Sequence, residues 1–305
     1  LPRTHKIAML GTTGLAVLLA ALSMLGPFSI DAYLPAFPNI QQSLQATQIE
    51  VQQTLTAYML AFAVMVLWHG ALADAFGRRN VILVSLVIFA IGTFGCASSH
   101  SVHYLWVFRI MQGVSAGAGV VVGRAIIRDL YSDAAAARLL SMVTMIFSIA
   151  PAIAPVLGGW IVKFFDWRTI FLALLGYTIV LGWFCYKHLP ETLPAEKRQP
   201  FNPNYVAQNY WSIFSSPLFH MKAGIVSANF AGMFLYIAAA PVMLPEHLKL
   251  GPDEFAWLFI PTVSGLFLGS LAANRMAGKS SFGRQVALGF CFMLSAAGAN
   301  VLYHV

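Results

Sequence analysis

Charge is what this chain has least of. Only 10% of its 305 residues are charged, against 59% hydrophobic, and so little polar surface cannot coat a water-soluble globule. Acid is scarcer than base, with 11 Asp and Glu against 18 Lys and Arg, a formal charge of +7. Cysteine is nearly absent: Cys96, Cys185 and Cys291 each fall inside an apolar run, where a thiol behaves as a small hydrophobe and has no redox role to play. The chain also lacks a G-x-x-x-x-G-K phosphate loop and an H-E-x-x-H pair, so nucleotide-driven pumping and zinc proteolysis lose their usual support, and neither a metal nor a cofactor is called for. Gly113-Val114-Ser115-Ala116-Gly117 matches the hydrolase pattern G-x-S-x-G. That pattern needs a strand-turn-helix elbow, whereas here it lies in an apolar run, where spaced glycines let helices touch.

Present instead are long apolar stretches. A helix crossing roughly 30 Å of hydrocarbon needs about 20 such residues, and nine runs qualify: Ala8 to Ile30, Val51 to Ala73, Val81 to Ser98, Tyr104 to Gly123, Leu139 to Val162, Ile170 to Tyr186, Ala223 to Leu244, Phe255 to Ala273 and Val286 to Val305. The first is too long for a signal-peptide core and stays as helix 1. The fold class expected is therefore all-α, a polytopic transmembrane helical bundle in a lipid bilayer. Fourteen of the basic residues, Arg78, Arg79, Arg124, Arg128, Lys197 and Arg198 among them, fall at the N-terminus or in even-to-odd loops, and only Lys163, Arg168 and Lys249 lie in the others. This alternation explains the positive charge without nucleic acid, and the positive-inside rule puts the N-terminus in the cytosol.

Residues 189–220 are polar and contain Pro190, Pro194, Pro200 and Pro203, the composition of a cytosolic linker. Residues 1–188 then form a six-helix N-terminal bundle, and residues 221–305 form helices 7 to 9 of a second. A weak repeat supports two related halves: Gly70-Ala71-Leu72-Ala73-Asp74 after helix 2 is echoed by Gly269-Ser270-Leu271-Ala272-Ala273 after helix 8, as expected of a parallel duplication. Six plus six would make twelve, so nine of an expected twelve helices are counted, and the last three are expected to be missing.

Three constellations carry chemistry. In the loop between helices 2 and 3, Gly70 permits close approach, Asp74 precedes Arg78 by four residues, Gly77 supplies a turn and Arg79 adds charge. Asp129, at the end of helix 4, is positioned to latch onto Arg78 or Arg79. Arg109-Ile110-Met111-Gln112-Gly113 places an arginine roughly 9 Å inside helix 4, a depth at which it needs a partner. Asp31 is the nearest candidate by depth if helix 1 continues toward Pro35 or Pro38. Asp31 then reads as a carboxylate that alternately holds a proton and a substrate, or as an acid ending helix 1 near the interface; Tyr58, Met59, Met233 and Tyr236 are candidate lining. Helix 5 carries Pro151 and Pro155, which remove backbone donors, and Gly158 and Gly159, which allow bending.

These motifs resemble those of the major facilitator superfamily. Gly70 to Arg79 resembles G-x-L-a-D-r-x-G-r-r, with Ala75 in place of the usual base; Arg109 to Gly113 resembles R-x-x-q-G. Ala150 to Gly159 resembles the antiporter motif G-x-x-x-G-P-x-x-G-G with alanines at two glycine positions, and together with Asp31-Ala32-Tyr33-Leu34-Pro35 it is similar to the Bcr/CflA drug:proton antiporter branch. The resemblance covers essentially the whole chain. It implies the major facilitator fold, a monomer in the bacterial inner membrane, no enzymatic activity, and multidrug efflux by alternating access in exchange for protons. Asp31 and Arg109 would face each other in the cavity, with Gln112 and Tyr58 beside them. The alternative within the class is a carrier of a small polar metabolite, and a remote one is a polytopic membrane enzyme.

Overall fold

The computed structural model describes residues 2–242, 261, 264–265, 268–269, 272, 276 and 280–304. Among the described residues every regular element is helical. The chain forms two compact units, Leu1–Phe259 and Ile260–Val305. In the first, α1 (Pro2–Asp31), α2 (Phe37–Leu44), α3 (Gln48–Phe76), α4 (Arg78–Ala97), α5 (Val102–Ala116), α6 (Ala118–Leu130), α7 (Asp133–Phe147), α8 (Ala150–Phe164), α9 (Arg168–His188), α10 (Pro203–Phe214) and α11 (Pro217–Val242) follow one another. The second contains α12 (Phe282–His304).

Five described segments are long and apolar enough to cross a bilayer: Gly11–Leu44, Gln48–Phe76, Arg78–Ala97, Val102–Leu130 and Arg168–His188. They coincide with the first four and the sixth of the expected runs. The fifth run is built from α7 and α8, whose apolar parts are shorter, and α11 and α12 occupy the seventh and ninth. The eighth run and the second copy of the repeat lie almost wholly outside the described residues, as do the side chains of Met233 and Tyr236. The bilayer shows in what is exposed: Val84, Val87, Ile91 and Phe94 form an outward apolar stripe on α4 at helical spacing, tolerable only where the solvent is hydrocarbon.

Helix starts and stops follow from local chemistry. Thr47 opens α3 with a capping box, its hydroxyl accepting from the Glu50 amide at 3.2 Å while Glu50 accepts from the Thr47 amide at 2.7 Å, so Glu50 is a helix-start acid. Gly77 ends α3 at φ +95° and ψ 147°, a conformation open in practice only to glycine. Pro151 lies in the first turn of α8, after the interruption at Ser148 and Ile149; lacking an N–H, it cannot continue the ladder of α7. The single kinked helix expected over Leu139 to Val162 is accordingly two. Helix 4 is likewise broken at Gly117, between α5 and α6.

The core has two layers. At one end Tyr33, Ile40, Leu105, Trp167 and Phe171 pack together; at the other Leu19, Phe89, Ile126 and Cys185 do so. α1 runs through the middle and touches α6, α7, α8 and α9, while α5 packs on α3 and α4. Three of these contacts are backbone on backbone. A Cβ on Gly113 would strike the Tyr58 carbonyl, one on Gly119 the Leu22 carbonyl, and one on Gly158 the Ala32 carbonyl, so α5–α3, α6–α1 and α8–α1 approach as only glycine allows. Gly70 differs from expectation: a Cβ there would meet only Val121 of α6, at an ordinary 3.9 Å, because Gly70 borders a cavity against α10.

Candidate transport site and loop latch

Arg109, on α5, is fully buried. Its Nη1 donates to the Ser29 carbonyl at 3.0 Å and to Gln112 Oε1 at 2.9 Å. Its guanidinium carbon lies 4.6 Å from the ring centre of Tyr33 and 4.4 Å from that of Tyr58. Each support has a physical origin. α1 ends at Asp31, so Ser29 offers one of the last helix carbonyls, at the negative end of the helix dipole, where a cation is favoured. The two rings add cation–π attraction, which grows when water is excluded.

The supports are themselves held. The Tyr33 hydroxyl and Thr54 Oγ1 are 2.7 Å apart, and the Tyr58 hydroxyl donates to the Gly26 carbonyl at 3.3 Å. Gln112 Nε2 donates to Thr93 Oγ1 at 2.8 Å, and the Cys96 thiol donates to Gln112 Oε1 at 3.6 Å, so α4 fixes the amide that orients Arg109. Arg109 Nε and Nη2 have no hydrogen-bond partner.

Asp31 is 3% exposed and lies within electrostatic reach of Tyr58. Helix 1 does not run unbroken to Pro35 or Pro38; it stops at Asp31, and a 3-10 turn, Leu34–Ala36, and α2 carry the chain onward. The acid is thus the last residue of α1, buried where the chain turns toward these two short helices. No ion pair joins Asp31 to Arg109 among the described residues, and the Asp31 carboxylate accepts no hydrogen bond there. Aromatic faces and a helix-end carbonyl hold Arg109 where a carboxylate was expected. Beside them, Gly158 of α8 rests on Ala32, so the two-proline, two-glycine helix presses on the residue next to Asp31; Gly159 and Pro155 are buried in the same stretch and Pro151 is half-buried.

At the opposite end, Arg78 is 8% exposed. It pairs with Asp74 one turn back and, through Nε, with Asp129 Oδ2 at 3.1 Å. The Arg79 Nη2 donates to the Tyr186 carbonyl at 2.6 Å. Sequence reasoning missed the residue that organises this loop. Glu191, from the stretch read as linker, accepts from the Arg78 amide at 2.9 Å and the Arg79 amide at 3.3 Å, satisfying orphan donors at the start of α4. Thr192 donates to Asp129 at 2.7 Å. Gly77 matters twice here, since a Cβ would strike the Glu191 carboxylate as well as strain the turn. The signal in the sequence was a lone acid directly after Pro190 at the end of helix 6.

Glu191→Ala is expected to lower stability by about 1–2 kcal/mol, the cost of losing a good helix cap, with Glu191→Gln intermediate because it keeps an acceptor oxygen. Thermal unfolding in detergent micelles reads this out; an alanine variant that melts with wild type would remove Glu191 from the account.

The motifs now have positions in one fold. The family model described as the Major Facilitator Superfamily matches residues 17–305. The chain belongs to the Major Facilitator Superfamily. It is thus a multi-pass membrane protein of a transporter family, not of an enzyme family. Among its superfamily relatives, the bicyclomycin resistance protein homolog of Haemophilus influenzae is 31% identical over 263 residues, covering 86% of this chain and 66% of that protein. The uncharacterized MFS-type transporter YdgK of Bacillus subtilis is 34% identical over 268 residues, 87% of this chain and 66% of that one. Multidrug resistance protein D of Escherichia coli is 28% identical over 261 residues, 86% and 65% respectively. The chain thus spans just under two thirds of the length of these relatives. Solved superfamily structures share the fold at low identity. A bacterial homolog of the human lysosomal transporter Spinster, inward-facing and unoccupied, gives a TM-score of 0.68 at 17% identity over 88% of this chain and 64% of that one. A D-xylose–proton symporter gives 0.63 at 14% identity over 87% and 68%.

Proposed function

We propose that this chain works in a drug exporter driven by proton entry, moving its substrates out of the bacterial cytoplasm through the inner membrane by alternating access. The observation that carries the reading is Asp31: a buried carboxylate with no hydrogen bond or ion pair among the described residues, at the end of α1, two residues beyond the Ser29 carbonyl that the buried Arg109 donates to and within electrostatic reach of the same Tyr58. Arginine does not deprotonate in proteins, and tyrosine, threonine and glutamine do not exchange protons near neutral pH. Asp31 is the one member of this cluster able to load and release a proton. A neutral Asp31 leaves the Arg109 charge uncompensated and the site unattractive to a cation, and an ionised Asp31 restores the attraction; proton and cationic or polar drug therefore alternate.

The names of the relatives, bicyclomycin resistance and multidrug resistance, support drugs as substrates. The excess of base at the Arg78 end supports a cytosolic N-terminus and a cytosolic latch of Asp74, Arg78 and Asp129 that rearranges when that side opens. Residues 1–188 act as the first rocking bundle, 189–220 as the linker and the residues from 221 onward as part of the second. The transporter works as a monomer.

The test is uptake of bicyclomycin and a panel of cationic drugs into everted vesicles carrying the complete protein, with an imposed proton gradient. Wild type is expected to accumulate at least one drug only with the gradient, and Asp31→Asn to lose that uptake entirely. Gradient-driven uptake unchanged in Asp31→Asn would move the proton site elsewhere. No gradient-driven uptake of any drug would favour a carrier of a small polar metabolite.

A further inference from the structure

α3 and α4 diverge from the turn at Gly77 and leave between them a cavity of about 620 Å³. His69, Leu72 and Phe76 of α3 form one wall, at helical spacing; Val84, Ser85 and Ile88 of α4 form the other, and Arg198 closes the end beside Gly77. No part of the transport site described above belongs to it. Its volume is that of a ligand pocket.

Three features specify an occupant. First, Phe76 and Val84 are 54% and 58% exposed, so the cavity opens sideways where the surroundings are acyl chains. Second, from Arg78 to Ile88 is about 15 Å of helix, close to one leaflet of a roughly 30 Å hydrocarbon core. Third, a polar donor lies unpaired at the loop end. Arg198 Nε, at the loop end, is buried without a hydrogen-bond partner, and the contact of Arg198 Nη2 with Glu191 is loose at 3.7 Å. His69, roughly 10 Å below the end of α3, lines the same cavity and is 2% exposed, with its ring held toward the Met65 backbone and Gly117. An unpaired buried guanidinium donor is costly unless an occupant satisfies it. A ligand with an anionic head at Arg198 and an apolar tail running past His69 toward Ile88 matches this lining. Arg78 and Arg79 at the same end are taken up by Asp74, Asp129, Glu191 and the Tyr186 carbonyl, so Arg198 is the contact that favours an anionic head over a cationic amphiphile.

We propose that this cleft is a binding site for an anionic phospholipid of the adjacent leaflet, its phosphodiester on Arg198, its ester carbonyls at the level of His69 and an acyl chain along Leu72, Val84 and Ile88. This stands apart from the antiport reading and requires only that the chain be in a bilayer.

The test reconstitutes the complete protein with phosphatidylglycerol carrying a photoreactive acyl chain and, in parallel, with the matching phosphatidylcholine, and maps the cross-links. Phosphatidylglycerol is expected to label the segment 65–88 about fivefold more than phosphatidylcholine, the preference one basic contact confers. Arg198→Gln is expected to bring the two lipids level. Ser85→Trp, which fills the cleft, is expected to abolish labelling there while leaving that of the lipid-facing α9 residues Ile179 and Trp183 unchanged, which also verifies folding. Equal labelling by both lipids in wild type, or labelling of 65–88 that survives Ser85→Trp, would mean ordinary annular lipid and overturn the proposal. Displacement of the label by a cationic drug would give the cleft to substrate and overturn it as well.

Discussion

Arg109→Lys is expected to cut gradient-driven drug uptake by about 100-fold or more, to the level of Arg109→Ala, although the charge is kept. A planar guanidinium lies between the rings of Tyr33 and Tyr58 while one nitrogen serves both Ser29 and Gln112. An ammonium on a flexible stem is a point charge, cannot lie flat between two rings, and is shorter by the depth of the fork. Losing one hydrogen bond to a charged group costs about 1.5–3 kcal/mol, and losing one desolvated cation–π contact about 2 kcal/mol. Together these exceed the ~2.7 kcal/mol that corresponds to 100-fold in rate. Initial rates per mole of protein in everted vesicles measure the effect, with the thermal midpoint alongside to show that the variant is folded. A lysine variant as fast as wild type would show that positive charge alone suffices and that the aromatic box is incidental.

The same residue shows where sequence reading stops. That an arginine inside an apolar run needs stabilising is a matter of solvation, and the sequence carries it. The nature of the stabilisation is not legible, because Tyr33 and Tyr58 are ordinary residues of a membrane helix and nothing in their spacing marks them as the two faces of a box 51 and 76 positions from Arg109. An acid at matching depth was the simplest partner, and Asp31 was therefore expected to pair. The termination of α1 at Asp31 instead frees a carbonyl for Arg109 and leaves the acid buried without an ion pair among the described residues. The spans that the described residues contain were legible for a stronger reason: hydrocarbon demands contiguous apolar sequence, so a span shows up whatever its neighbours do. The breaks in helices 4 and 5 were half visible. Pro151 announces the second, whereas Gly117 is one glycine among many in its helix. Glu191 was out of reach, since its partners Arg78 and Arg79 are more than a hundred residues away and its surroundings have the composition of a linker.

Gly158→Ala is expected to do the most damage of any single methyl added to this bundle. The added Cβ would meet not the tip of a movable side chain but the main chain of Ala32, within 2.9 Å of its Cα and closer still to its carbonyl. Relief therefore requires α8 to move off α1, and overpacking of this kind costs about 1–3 kcal/mol in a well-packed core. The place makes it worse than the energy implies. Ala32 follows Asp31 and precedes Tyr33, so displacing it shifts the proposed proton site and one face of the Arg109 box together, and transport is expected to fall far more than stability. Gly176→Ala and Gly182→Ala are the matched controls: both glycines lie in α9 with nothing within 4 Å of an added Cβ, and a helical alanine there should hold or raise stability by up to about 1 kcal/mol. Thermal midpoints and vesicle uptake for the three variants separate the cases. If Gly158→Ala behaves like the α9 controls, α8 does not bear on α1 as this geometry requires. If it loses transport while melting within a few degrees of wild type, the two-proline, two-glycine helix acts by holding the end of α1 in place, as the surface against which Asp31 is positioned.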